Sequence, residues 1–469
     1  MAQAERNAPG ADRRRAALGL WVIGLGTLIN PLDTSVNIAF PAITAAFGIP
    51  LADIQWVVIS YVLTYASLML AFGKLGDMYG HRRVFAAGLA LSAVSFALCG
   101  MAESYLWLIG ARVLQGIGTA LVVGVGPALA TGLYDESKRA RILGIYTMMY
   151  GIGAAIGPLV GGALIEQWGW SAVYWFRLPV SLLALALVFL LPAQAPATGP
   201  RGRFDILGAL LMVTGLCALL MTLNRLRGVA EDGPLVAGLG LLAILALTGF
   251  VLQERRAANP IIRLSVFRQP GFAAINLTCA VVQAVSFTVL LLVPYFLVRT
   301  AGLPLWLAGI VLAASPAGII IGGPLGGWLS ARLPAPRLAL GAAVVAGLAL
   351  LPIGLWDDGT TGIQVAAMLF VHGLALGLFQ LAYLDLCTAA LPRTERGVAG
   401  SLAMATRTVG IMLGAGTMAA LFTALELQVA ADGLDPDAAF LQAFQWSFFC
   451  AGGGLLGYLA LTGLRRRGS

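Results

Sequence analysis

Apolar stretches of about 20 residues recur along the whole chain with short polar connectors between them, and no motif constrains the fold as tightly. A helix of that length crosses the hydrocarbon core of a bilayer, where the backbone has to satisfy its own hydrogen bonds. Of the 469 residues, 59% are hydrophobic and only 11% charged, against about 25% charged in soluble domains. No soluble fold can bury that much apolar surface. The fold class that follows is an all-α polytopic membrane protein.

Spans are read at roughly 17–43, 54–75, 83–102, 105–133, 140–165, 171–191, 204–226, 235–252, 271–298, 305–330, 337–356, 362–390, 398–426 and 440–463, about 14 in all. The first follows Arg13, Arg14 and Arg15 as a signal peptide would, yet it stays apolar past residue 40 and is read as a retained span. Alternate connectors sort by charge. DMYGHRR, DESKRAR, PRGR, ERRAANPIIR, ARLPAPR, PRTER and the terminal RRR lie on one side, opposite GVAEDG, WDDGTT and ELQVAADGLDPD. Basic connectors mark the cytoplasm, which puts both termini inside. Rich use of alanine, glycine and arginine fits a bacterial source, hence a cytoplasmic (inner) membrane. The net charge of +8 belongs to these connectors, so it expresses topology rather than nucleic-acid binding. All five cysteines fall in apolar runs, and an odd number argues against a disulfide framework.

The widest connectors flank the seventh and eighth spans. They divide the chain into a cytoplasmic tail (1–16), a six-helix bundle (17–191), a linker with two extra transmembrane helices (192–270), a second six-helix bundle (271–464) and a basic tail (465–469). Gly73, Leu75 and Arg83 recur as Gly327, Leu329 and Arg337 at constant offset, with Ala331 where Asp77 stands. Parallel repeats around a central cavity are a transporter architecture.

Ionisable groups at membrane depth are costly and mark function. Asp33 in the first span and Arg112 in the fourth both sit roughly 10–15 Å below the outer surface at 1.5 Å rise per residue, so they are placed to pair. Protonation of such a carboxylate is a means of coupling proton entry to a change of shape. Asn30, Asp33 and Asn37 share a helix face, as do Arg112, Gln115 and Thr119, which predicts a wet cavity. Asp385 and Arg407 are secondary charge candidates. Gln283, Phe287, Tyr295, His372, Gln380 and Tyr383 are candidate cavity-lining residues. A stripe of Gly153, Gly157 and Gly161, with the bend-prone Pro158 inside it, predicts close helix packing and a pivot.

The stretch GKLGDMYGHRRV (73–84) resembles the loop signature of the major facilitator superfamily. LDTSVNIAFPAI (32–43), RVLQGIGTA (112–120) and GIGAAIGPLVGGAL (151–164) are similar to its 14-span drug and proton antiporter branch, and the likeness extends over nearly the whole chain. That resemblance implies a fold of two six-helix bundles plus an inserted pair, and antiport of amphipathic compounds against protons by alternating access. It implies that Asp33 is the protonatable acid and that Arg112 serves proton coupling. Asp77 and Arg83 would form a cytoplasmic latch, with Gly73 and Gly80 allowing tight turns, while Gly157 and Pro158 would lie between the halves. The implied partners are lipophilic small molecules, protons and the lipid bilayer, with no nucleic acid and a monomeric state.

Two departures bear on substrate. Arg177 in FRLP stands where the family often has Asn, which would add positive charge near the outer mouth, and the tenth span has no acid. Both disfavour dications and favour monovalent lipophilic cations or neutral and zwitterionic amphiphiles. Other classes find little support. No GxxxxGK[ST] loop for an ATP-driven pump and no HExxH or GxSxG motif for an enzyme occurs, and His81 and His372 are the only histidines. No catalytic residue, metal ligand set or cofactor is expected. The open alternatives are a proton-coupled symporter importing a small solute, although the first span lacks its ExxER pattern, and an exporter of one specific natural product.

Overall fold

A computed structural model of the chain describes residues 19–467 apart from 20, 50–53, 55, 133, 192–203, 226–228, 259, 263, 270, 393–394 and 432–434. The tail 1–16 and much of the linker before the seventh span lie outside the described residues. All described secondary structure is helical. Eleven helices among the described residues are long and apolar enough to cross a membrane, and Ala172–Val188 and Ile206–Leu219 are shorter apolar helices. The chain forms two compact units. One comprises Met1–Ala209, Glu254–Arg263 and Cys387–Met404, and the other Leu210–Gln253, Leu264–Leu386 and Ala405–Ser469.

The first segment is not the unbroken helix predicted over 17–43. Its helix ends before Ile29, passes through a single 3-10 turn at Pro31–Thr34, and resumes as Ser35–Ile38 and Phe40–Phe47. Pro31 and Pro41 have no N–H to donate to the helix. The hydroxyls of Thr34 and Ser35 donate to the carbonyls of Pro31 and Leu32 at 2.9 and 2.8 Å. Polar satisfaction of this kind is what lets a broken backbone persist at membrane depth. Asp33 sits on the break.

Helix α1 (Trp56–Tyr79) and helix α2 (His81–Gly100) are joined by one residue, not by the polar loop expected around 75–83. Gly80 makes that turn with φ +96°, a conformation L side chains rarely adopt. The polar residues prolong the helices, and Asp77 bonds His81 one turn on at 2.8 Å. Gly73 lies inside α1, so it serves close packing rather than a turn. Helix α3 (Tyr105–Gly132) runs between α1 and α2 at backbone distance: a Cβ on Gly124 would lie 2.6 Å from the Met69 carbonyl oxygen, and one on Gly118 2.9 Å from the Ser92 nitrogen.

Helix α4 (Arg139–Trp168) carries the glycine stripe, and its glycines press on the broken first segment. A Cβ at Gly153 would lie 2.6 Å from Pro31 Cγ, one at Gly161 2.8 Å from Ser35 Cβ, and one at Gly157 would meet the Thr34 hydroxyl and lie 3.1 Å from the Leu32 carbonyl oxygen. Gly157→Val is therefore expected to displace the Asp33 turn, costing about 1–3 kcal/mol of stability. Thermal unfolding of the purified variant checks this, and unchanged stability would mean the turn yields freely. Helix α5 (Arg177–Val188) completes this part of the first unit.

The inserted pair is α6 (Ile206–Arg225) and α7 (Val229–Arg256). Asp205 caps α6 by accepting the Gly208 N–H at 2.9 Å. Near the end of α7, buried Glu254 accepts the N–H groups of Ile261 and Ile262, both at 3.1 Å, and so ties down the connector that follows. Then come α8 (Phe272–Tyr295), α9 (Leu305–Leu312), α10 (Ala314–Leu329), α11 (Ala335–Leu350), α12 (Gly362–Ala390), α13 (Arg396–Ala431) and α14 (Pro436–Arg467). In the second unit α13 packs on α8 through glycine, since a Cβ at Gly414 would lie 2.8 Å from the Ala284 Cα.

Candidate functional site

Asp33, predicted to pair with Arg112, does so bidentately: Nη1 and Nη2 of Arg112 donate to Oδ1 and Oδ2 at 2.6 and 2.8 Å. Such a fork fixes direction as well as charge. Arg112 is held in turn, with Nε donating to the Val57 carbonyl at 2.7 Å, Nη1 to Gln115 at 2.8 Å, and the guanidinium 4.4 Å over the Tyr61 ring. Gln115 also donates to Asp33 Oδ1 at 3.0 Å, and the Tyr61 hydroxyl donates to Asn30. Thus α1, α3 and the 3-10 turn each contribute a part, and the spacings 30/33 and 112/115 converge on one cluster. The side chain of Asn37 lies outside the described residues.

The structure adds a residue absent from the predicted site. Arg177, expected as a positive charge near the outer mouth, joins the Asp33 cluster. It is fully buried, donates Nη1 to Asp33 Oδ1, and turns Nε to the Val173 carbonyl at 2.8 Å. Phe96 and Tyr174 flank its guanidinium at 4.8 and 5.1 Å. One carboxylate is thereby shared by two arginines, and among the described residues it is the only carboxylate on either. A signal was present, because Arg177 is an ionisable residue inside a predicted span. Toward the connection between α2 and α3 the cluster is covered by apolar side chains that include Val36, Ile43, Ile54, Cys99, Leu108 and Val173. The Asp33 side chain keeps 11% exposure while both arginine side chains have none, so solvent meets the cluster on the aspartate's side.

A second polar site lies at the other end of α1. Asp77 accepts the N–H groups of Gly397 and Val398 at 2.8 and 3.1 Å, which places a carboxylate on the positive N-terminus of the 36-residue α13. A Cβ on Gly73 would lie 2.6 Å from the Gly397 carbonyl oxygen, so only glycine allows this approach. Ser401 closes the contact by donating to the Gly124 carbonyl at 2.8 Å. Glu136 accepts from both Arg139 and Arg396 beside it. Arg83, predicted as a latch residue, is exposed and makes no side-chain hydrogen bond among the described residues. His81 and the backbone of α13 are the partners of Asp77 instead.

In the second unit, Asn276 accepts from Tyr383 at 2.8 Å and from Thr406 at 3.1 Å, joining α8, α12 and α13. His372 meets Ser286 at 3.2 Å. Gln283 is buried on α8, Phe287 and Gln380 are half-buried, and Tyr295 is exposed. Asp385 is buried and Arg407 half-buried. No cluster of metal-ligating side chains occurs among the described residues.

The sequence pattern of the Major Facilitator Superfamily matches residues 23–415. The chain is 30% identical over 409 residues to the tetracenomycin C resistance and export protein of Streptomyces glaucescens, covering 86% of this chain and 75% of that one. It is 31% identical to the puromycin resistance protein of Streptomyces alboniger, covering 97% and 91%. The fold is similar to the crystal structure of the human organic anion transporter MFSD10, with TM-score 0.63, 15% identity and coverage of 96% and 100%, a likeness of fold alone. The chain belongs to the major facilitator superfamily and is a multi-pass membrane transporter, not an enzyme.

Proposed function

We propose that this transporter exports amphipathic drugs or toxic organic compounds from the cytoplasm by alternating access, in exchange for entering protons. The observation that carries the reading is Asp33, a carboxylate held on a broken helix by Arg112 and Gln115, with solvent reaching it from one side. A proton on Asp33 removes the charge that both guanidinium groups share, so protonation and rearrangement are coupled by electrostatics. The antibiotic-resistance and export roles of these relatives support the direction. In this reading the chain has 14 spans, as two six-helix bundles (17–191 and 271–464) and an inserted pair (192–270), in the bacterial cytoplasmic membrane with both termini inside. Asp77 on α13 then closes the cytoplasmic end. One proton crossing about 100 mV yields roughly 2.3 kcal/mol, and one pH unit adds about 1.4 kcal/mol. Together they sustain a gradient of a few hundredfold.

Proteoliposomes loaded with a pH-sensitive dye test this. Cationic and neutral lipophilic compounds are expected to release protons through the wild type and not through folded Asp33→Asn protein. Bound compound with no compound-dependent proton flux through the wild type would overturn the antiport.

A further inference from the structure

Proton exchange at Asp33 needs one arginine, and the site has two. Asp33 carries −1 against +2 from Arg112 and Arg177, which leaves one surplus positive charge in a fully buried place. Buried charge persists where it is paired, so a surplus calls for an anion. The donors point the same way. Arg112 uses Nε, Nη1 and Nη2, whereas Arg177 Nη2 is buried with no hydrogen-bond partner. The hydroxyl of Tyr174, on whose ring Arg177 stacks, is likewise buried and unpartnered. A guanidinium N–H and a phenol O–H are donors, and an anionic oxygen or a halide accepts both. Such a group arrives from the side of Asp33, whose carboxylate already occupies Nη1 and therefore acts as a tethered competitor.

We propose that Arg177 and Tyr174 form a seat for a small anionic group, either a carboxylate carried on the substrate or a free inorganic anion, which takes Arg177 over from Asp33. Its meaning for substrate class rests on the export reading above. With a monoanion seated, the buried site is neutral, and empty it is positive. An inside-negative potential then drives net movement of the anion outward.

The test is calorimetric titration of purified protein in a chloride-free zwitterionic buffer, with sodium benzoate and sodium chloride as separate probes. Saturable binding is expected, weakened about tenfold or more in Arg177→Gln and strengthened by a similar factor in Asp33→Asn, where the competitor carboxylate is gone. Tyr174→Phe is expected to weaken it less. If Arg177→Gln does not fold, the opposite responses of Asp33→Asn and Tyr174→Phe still decide. A packing role for Arg177 would move neither. Benzoate binding alone assigns the seat to a group on the substrate, and chloride binding alone to an inorganic ion. Competition between the two shows a seat that takes either. No saturable binding of either probe, or binding unchanged in every variant, overturns the proposal. Loss of compound-driven proton flux with anion binding intact would count against the export reading alone, and the converse against the seat alone.

Discussion

Asp33→Ala is expected to destabilise the protein by about 3–5 kcal/mol, because it strips the shared counter-charge from two fully buried guanidinium groups. Arg177→Gln is expected to stay within about 1 kcal/mol of the wild type, since it removes surplus charge and leaves the Arg112 fork in place. The double variant is expected to recover at least about 1 kcal/mol relative to the sum of the two, the signature of groups in one network. Denaturant unfolding of all four proteins in the same detergent checks the cycle. If the two single variants cost the same and their effects add, Arg177 is not an electrostatic partner of Asp33 in the folded state.

Asp77→Asn is expected to open the contact at the start of α13. The substitution keeps the shape and removes the charge that accepts two backbone N–H groups and faces the helix dipole. That loss amounts to about 2–4 kcal/mol, or roughly 30- to 1,000-fold in the closed population. Ser401, which is fully buried in the contact, reports it as cysteine. Cys450 is exposed and is first replaced by serine. In that background maleimide labelling of Ser401→Cys is expected to rise at least tenfold with Asp77→Asn, and transport rate to fall. Unchanged labelling would show that glycine packing alone holds the contact.

Much of the first site was legible because depth can be counted along a helix. Asp33 and Arg112 fall at matching heights in spans that run in opposite directions, and Gln115 follows Arg112 at helical spacing. The 3-10 turn at Pro31–Thr34 still leaves Asp33 on the Arg112 fork, so the pairing survives a wrong picture of the helix. Arg177 stood out only as a departure from the family's usual Asn, although it is the seventh residue of the span read at 171–191. Only the fold shows Asp33 within its reach. The partner of Asp77 was illegible for a different reason. It lies 320 residues away and consists of backbone N–H groups, which no side-chain pattern advertises. The same limit produced the loop expected around Gly80, because polar residues mark a connection without saying whether helix continues through them.

The apolar cover over the charged cluster bears on the energy supply of the cell that carries this protein. A proton crosses a protein along groups or waters that relay it, and a water held in the interior needs two to four polar partners. Side chains such as Val36, Ile43, Ile54 and Leu108 provide none. These side chains offer a proton no relay on that side of the cluster. Under the proposed proton exchange, a transporter idle behind this cover is expected to leak few protons, and each polar residue introduced there is expected to raise the leak.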